Sequence, residues 1–366
     1  MTKRVLIATG GTGGHIYPAI ALAQQLSQEI ADCEILFVGG GLEENRYFDR
    51  NSFAYTSISC GTFIKKTPKI IFQTLANIVK GVFQSRRIVK EFQPDVAVGF
   101  GSYYAFPPLI AALSMSVPLV LHEANSIPGK ANRLLSRWAS ITGVHFPETL
   151  HLLKGKSIEV GLPLRNGFRR DSISSEQAKK HFDLSPNRKT LLIFGGSQGA
   201  KAINEVVREA LFELAQTLDF QVLHIAGEPG MAEELKCAYA KKGIQGTVKA
   251  FEERMEIAWQ AADLVICRSG AGTIAEQLEF EVPGILIPYP LAADNHQENN
   301  ADFMVAIVGG AVKLREKGLV PSRLKSCLEE FLKNDGEFIS ATQKAMKNYK
   351  KKSRTRDLCS LVKDFF

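Results

Sequence analysis

Cysteine is scarce in this chain and badly spaced for metal or disulfide work. The six thiols, Cys33, Cys60, Cys237, Cys267, Cys327 and Cys359, are scattered over 366 residues. No CxxC pair and no Cys/His cluster stands at zinc-ligand spacing. Neither a zinc module nor a disulfide framework is expected, and the thiols read as free groups in a reducing cytosol. Long hydrophobic runs are also missing. The opening MTKRVLIATGG carries too short an apolar run for a signal peptide. The charge-free stretch 103–121 is interrupted by Pro107, Pro108 and Pro118, whereas a spanning helix needs about twenty continuous apolar residues. A loop, a short helix and a strand are expected there instead. Charge of one sign is only mildly in excess: 45 Lys and Arg against 38 Asp and Glu leave +7. That balance suits anionic partners such as nucleotides or phospholipid surfaces. No recognisable nucleic-acid module accompanies it, so no nucleic-acid partner is expected.

What is present reads as two domains of ordinary size, with 45% hydrophobic residues to build their cores. Strands are expected at 5–8, 34–38, 95–99 and 117–122, with a loop at 9–15 and a helix from about Pro18 to Gln28. The pattern restarts with a strand at 190–194, a glycine loop at 195–199 and a helix at 201–217. Further strands follow at 221–225, 248–250, 264–267 and 284–288. Strand–loop–helix repetition means α/β architecture with parallel sheets covered on both faces. Gly161 and Pro163 punctuate the junction, giving domains at 1–162 and 163–339. A lysine-rich helix at 340–366 packs either on its own domain or back on the first; periodicity leaves that open. Loops at the carboxyl ends of such strands face ligands.

Two glycine loops open the two halves. Thr9-Gly10-Gly11-Thr12-Gly13-Gly14-His15 is not GxGxxG, because Ile16 stands where the third glycine belongs. Gly195-Gly196-Ser197-Gln198-Gly199-Ala200-Lys201 is not a P-loop, because Ala200 precedes the lysine. A dinucleotide oxidoreductase and a P-loop phosphotransferase are both disfavoured. The shared physics remains: backbone N–H groups and a helix N-terminus that welcome an anion. A single such loop reads equally well as a tight turn; two of them favour a phosphate-linked ligand. A third loop, Cys267-Arg268-Ser269-Gly270, leads into Ala271, Gly272, Thr273 and Glu276. The Glu276 carboxylate can accept hydrogen bonds from a ribose diol, or merely complement the helix dipole. The polar run from Asp294 through His296 and Gln297 to Asn300 can read sugar hydroxyls, or serve as a loop with a helix cap.

The segments GGTGGHIYPAIALA, HEANSIPGKANRLL, GLPLRNG, FGGSQGA, CRSGAGTIAE and DNHQENNA together resemble the MurG family, in order and spacing over residues 5–310. That family comprises the UDP-N-acetylglucosamine transferases acting on undecaprenyl-diphospho-muramoylpentapeptide in peptidoglycan synthesis. The resemblance implies a GT-B fold, two Rossmann-like doubly wound domains facing across a cleft. It also implies an inverting, metal-independent β-1,4 transfer that converts lipid I to lipid II, with no cofactor, at the cytoplasmic face of the cell membrane. Ser197 and Gln198 would meet phosphate, Ala271, Gly272 and Thr273 the nucleotide, and Glu276 the ribose. Gln297 and His296 would read the sugar, Arg165 would contact the diphosphate, and Asn125 with Thr12, Gly13 and Gly14 would approach the transferred sugar. Other enzymes of cell-wall synthesis are expected partners. One departure stands out: the family's Gly-Gly-Tyr loop is here Gly101-Ser102-Tyr103, with Phe106 added.

His15 is the first candidate for general base, since histidine titrates near working pH; it can equally only hydrogen-bond the loop or acceptor. Glu123 is the second, or else it orients the Asn125 loop. No DxD-like pair stands beside the donor loop, in keeping with the metal independence that the resemblance implies. Between Phe63 and Lys90 lie seven basic residues and no acidic one, interleaved with apolar residues at helical spacing. Most of those apolar residues are expected to pack on the sheet. Lys65, Lys66 and Lys69 with exposed Ile70, Ile71 and Leu75 would meet an anionic bilayer. Rival readings are a GT-B transferase with another acceptor, a UDP-N-acetylglucosamine epimerase or hydrolase, and a catalytically dead binding subunit.

Overall fold

Strands buried along their whole length should pair in parallel and be covered on both faces, and two all-parallel sheets form here. The computed structural model describes residues 2–61, 67–196, 199–333, 336–353 and 355–366. Contacts divide the chain into one unit of Met1–Asn166 with Thr355–Phe366 and a second of Gly167–Arg354. Ser197, Gln198, Lys65 and Lys66 lie outside the described residues.

The first unit carries β1 (Lys3–Ala8), β2 (Cys33–Gly39), β3 (Ala54–Ser57), β4 (Val96–Gly99), β5 (Leu119–Glu123), β6 (Ile141–Val144) and β7 (Ser157–Glu159). Their order is β3-β2-β1-β4-β5-β6-β7. Its helices are α1 (Gly13–Glu29), α2 (Pro68–Phe92), α3 (Phe106–Ser114) and α4 (Lys130–Leu135). Alternation along β1 sends Val5 and Ile7 to a core shared with Ile16, Leu22 and Leu26 of α1. Leu6 and Ala8 go to the other face, against Leu109 and Ala112 of α3.

In the second unit β8 (Thr190–Phe194), β9 (Gln221–Ile225), β10 (Gln245–Lys249), β11 (Leu264–Cys267), β12 (Gly284–Leu286) and β13 (Ala311–Lys313) run in the order β10-β9-β8-β11-β12-β13. Helices α5 (Ser175–His181), α6 (Lys201–Leu214), α7 (Pro229–Lys241) and α8 (Met255–Ala261) are followed by α9 (Ala271–Phe280), α10 (His296–Asp302), α11 (Pro321–Leu332) and α12 (Glu337–Lys352). Leu191 and Ile193 of β8 bury with Val207, Leu211 and Phe331. Counted from the first strand of each unit, the second sheet follows the Rossmann order 3-2-1-4-5-6 and the first follows the same order with a seventh strand added at its end. Their topological switch points, where ligands bind in such folds, therefore fall at β1/β4 and at β8/β11.

Three expectations need correcting. Helix α1 starts at Gly13 rather than Pro18 and runs through that proline. Proline does favour a helix's first position, but here it sits inside, where its missing N–H forfeits one intrahelical bond. The tail is two helices: α12 stays with the second unit, and α13 (Leu358–Lys363) belongs to the first, where Leu358, Leu361 and Val362 enter the core with β1.

The third correction concerns α2. Its buried face is not the apolar one but a stripe of Thr74, Gly81, Ser85 and Val89. A Cβ at Gly81 would collide with the Ser59 carbonyl and press on Pro107, so the small residue allows the close approach. The apolar ridge Phe72, Leu75, Val79 and Phe83 is left 73, 49, 55 and 70% exposed. Leu75 is exposed as expected, whereas Ile70 and Ile71 are half-buried.

Candidate active site

In the first unit the chain turns at the end of β1 through Gly11, whose φ of +86° lies in the left-handed region that glycine tolerates best. Thr12 caps α1 with extended backbone, and Gly13 starts the helix. The Thr9 hydroxyl donates to the His15 carbonyl at 3.0 Å and fixes this first turn. Thr12 and Gly14 are exposed and Gly13 is buried. His15 reaches across the switch point: its Nδ1 lies 2.8 Å from the Phe100 carbonyl oxygen, just past β4. A carbonyl only accepts, so the neutral ring carries its proton on Nδ1 and its lone pair on Nε2. Burial pulls the His15 pKa below the ordinary histidine value, against the opposing pull of the Phe100 carbonyl.

Ser102 follows with φ 72° and ψ 151°, a region essentially reserved for glycine. This is the position where the chain departs from Gly-Gly-Tyr. Tyr104, two residues on, packs against Gly10, Gly11 and Gly40.

Glu123, the last residue of β5, is buried, and both its oxygens are engaged. Oε1 accepts the Asn125 N–H at 3.0 Å; Oε2 accepts the Gly129 N–H at 3.0 Å and the Asn132 amide at 2.9 Å. Burial pushes this carboxyl up in pKa, against the hydrogen bonds that stabilise its ionised form. The geometry is that of a clamp on the 124–129 loop rather than a base open to substrate. Thr149 holds the same loop from its other side, donating to the Asn125 and Ser126 carbonyls. Asn132, absent from the expected residues, completes the clamp by also donating to the His122 carbonyl at 2.9 Å. Its signal in the sequence is only that it lies in the same run as Glu123. Arg165 stays with the first unit, its guanidinium 4.2 Å above the Tyr17 ring of α1.

In the second unit, α9 begins at Ala271 directly after β11 and Gly270. Space beside Gly272 is open: a Cβ there would meet no protein atom within 4 Å. A bare glycine in a first turn, beside the N–H groups of Ala271 and Thr273, leaves room for an anion to approach. Glu276 follows one turn into the helix, and its Oε2 accepts the indole N–H of Trp259 at 2.8 Å. Gln297 accepts the Tyr289 N–H on its Oε1 at 2.9 Å, which turns its amide NH2 outward to donate. His296 Nδ1 lies 2.7 Å from the Ala293 carbonyl, which orients the ring.

Several positioning residues carry no sequence pattern of their own. Arg268 is buried, donates to the Ile287 and Pro288 carbonyls at 3.1 Å and pairs with Glu316. Ser269 donates to the Gln297 carbonyl, and Asn300 donates back to the Ser269 carbonyl. The β11 loop and α10 are thus laced together. On α6, Asn204 donates to the Ala226 carbonyl and accepts from His224 Nε2 at 3.1 Å. That leaves His224 Nδ1 to accept the Tyr239 hydroxyl at 2.9 Å. Among the described residues, no group of three or more His, Cys, Asp or Glu is gathered to hold a metal ion.

Both units match known glycosyltransferase domains. Residues 5–143 match the glycosyltransferase family 28 N-terminal domain and residues 190–359 the family 28 C-terminal domain. The chain is 48% identical over 364 residues to the UDP-N-acetylglucosamine--N-acetylmuramyl-(pentapeptide) pyrophosphoryl-undecaprenol N-acetylglucosamine transferase of Protochlamydia amoebophila, covering all of this chain and 96% of that one. It is 35% identical to the Chlamydia trachomatis serovar L2 protein of the same name, over 98% of each. The crystal structure of Acinetobacter baumannii MurG superposes with a TM-score of 0.75 at 28% identity, over 99% of this chain and 98% of that one. Two Rossmann-like units of the GT-B fold, matched from end to end by such relatives, mean that the chain belongs to the MurG family of glycosyltransferase family 28.

Proposed function

We propose that the chain transfers N-acetylglucosamine from its UDP-linked donor to the C4 hydroxyl of the muramoyl sugar in undecaprenyl-diphospho-MurNAc-pentapeptide, making lipid II from lipid I for peptidoglycan. The observation that carries this reading is 48% identity over the whole chain to a transferase of that name. The residues supply the chemistry. Nε2 of His15 takes the proton of the acceptor hydroxyl as its oxygen attacks the anomeric carbon. The bond from that carbon to the UDP oxygen breaks, and its electron pair leaves with UDP. One displacement inverts the anomeric configuration. Charge growing on the diphosphate is met by N–H groups at the start of α9, and Glu276 accepts from the ribose hydroxyls. Gln297 and His296 read the sugar, and Asn125 is held for the acceptor side by the Glu123 clamp.

The ridge on α2 gives the enzyme its surface for a lipid-anchored acceptor. Phe72, Leu75, Val79 and Phe83 line one apolar face, and Lys69, Lys80 and Lys90 are exposed on the same helix. Basic residues near an anionic bilayer contribute about 1 kcal/mol each. Among the described residues no helix is long and apolar enough to cross a membrane, so the contact proposed is at the surface. Purified protein given radiolabelled UDP-N-acetylglucosamine in EDTA should label the lipid fraction only when lipid I is added. Free sugar or an epimer released without acceptor would contradict the reading and favour a hydrolase or epimerase.

A further inference from the structure

Trp259 is fully buried in α8, and its indole is clamped by aromatic neighbours. Phe194, at the end of β8, meets it edge-on with centroids 5.6 Å apart at 87°. Phe280 stacks on it at 6.4 Å and 12°. An indole has one polar atom, a donor, and a buried donor must find an acceptor. Here the acceptor is the Glu276 carboxylate, 17 residues away on α9, at the 2.8 Å of a charge-assisted bond. A glutamate has three rotatable side-chain bonds, and a rigid indole bonded to one oxygen removes most of that freedom. The same ring also packs on Phe194, the residue that leads into the glycine loop at 195–199.

We propose that Trp259 is a positioning residue for ribose recognition: its indole N–H sets the rotamer and plane of the Glu276 carboxylate that meets the ribose hydroxyls of the nucleoside diphosphate. The proposal rests on the reading of Glu276 as the ribose acceptor. It predicts that Trp259→Phe, which keeps a ring and removes the N–H, acts on donor binding through the ribose alone.

Steady-state kinetics with UDP-N-acetylglucosamine and its 2′-deoxyribose analogue test this in the wild type, W259F, E276Q and the double variant. The wild type should prefer the ribose donor by about tenfold or more, the scale of a hydrogen bond to a charged group. W259F should raise KM for the ribose donor about fivefold or more, with kcat little changed and KM for the deoxy donor barely moved. In the E276Q background W259F should add nothing. Equal effects of W259F on both donors would overturn the proposal and leave a packing role only. Full retention of ribose preference in E276Q would instead overturn the ribose reading itself.

A second measurement needs no change at Trp259. The chain has two tryptophans, Trp138 and Trp259, and Trp138 is exposed. Trp138→Phe therefore assigns the remaining indole N–H resonance. That resonance should shift on adding UDP and much less on adding 2′-deoxy-UDP, and E276Q should displace it in the free protein. An indole signal indifferent to E276Q, or moved equally by both nucleotides, would sink the proposal.

Discussion

Because Nδ1 of His15 donates to the Phe100 carbonyl, the free lone pair at Nε2 is a property of the backbone at β4 as much as of the histidine. Removing the base while keeping a polar side chain, His15→Gln, should lower kcat by about 10²–10⁴-fold, the usual worth of general base catalysis. KM for the donor should change little, and a variant retaining wild-type kcat would show that His15 only holds the loop. The pH profile carries a sign. A base must be unprotonated, and burial lowers the His15 pKa, so the active form persists below the ordinary histidine value. The acid limb of kcat/KM should therefore lie below about pH 6.5, and a limb above it would contradict the environment described. Ser102 makes the opposite kind of residue-scale statement. Its φ of 72° and ψ of 151° carry strain that glycine would relieve, so Ser102→Gly should stabilise the protein by about 1–3 kcal/mol. Thermal melts of the two proteins measure it; an unchanged or lower Tm would mean that Ser102's contacts outweigh the strain.

Among elements, α2 shows what hydrophobic periodicity can and cannot tell. The pattern marks which face is apolar, but coverage depends on what else arrives. At α2 the side that meets Ser59 and α3 is taken by small residues, Gly81 and Ser85, so the helix approaches closely there and the apolar ridge stays outside. Phe72→Ser with Phe83→Ser should abolish co-sedimentation with anionic vesicles while moving stability by only about half a kcal/mol, as exposed positions do. Undiminished vesicle binding would remove α2 from the membrane contact. The turn through Gly11 between β1 and α1, by contrast, was legible in the sequence, because strand, glycine loop and helix follow each other directly in the chain. Strand β6 was not. It reads Ile-Thr-Gly-Val, and its glycine looks like a breaker until Val160 and Leu358 are seen packed where a Cβ would be. That reason lies more than two hundred residues away for Leu358. For Glu123 the sequence leaves a base and a group that orients the Asn125 loop both open, since only the fold brings Gly129 and Asn132 to its second oxygen.

At the scale of the whole molecule, buried histidines set the response to acid. Burial holds His122 at about 3, with His145 and His15 nearby adding to the effect. It holds His145 at about 4, against the hydrogen bond with the Val160 backbone, and His224 at about 3. Each stays neutral when folded and takes up a proton near pH 6.5 when unfolded. Their contribution to stability is complete above about pH 6.5 and falls as pH drops towards the folded values. Through that window the unfolded chain binds the proton first, so each ring's contribution declines as pH falls. Glu123, pushed up by burial, works in the opposite sense and offsets part of this. Tm should therefore fall steeply between about pH 6.5 and 4.5, with the first unit, which holds two of the three, more sensitive than the second. A flat profile over that range would mean that these rings are not buried in their neutral form.

The stereochemistry of the lipid product bears on the whole proposed mechanism. Lipid product made by this protein from UDP-N-acetylglucosamine and lipid I should show, by proton NMR, the large axial–axial coupling of a β-linked sugar on the muramoyl C4 oxygen. A single displacement at the anomeric carbon requires the β configuration, and the proposed acceptor requires the C4 oxygen. An α-linked sugar, or linkage at another hydroxyl, would contradict the mechanism derived from these residues.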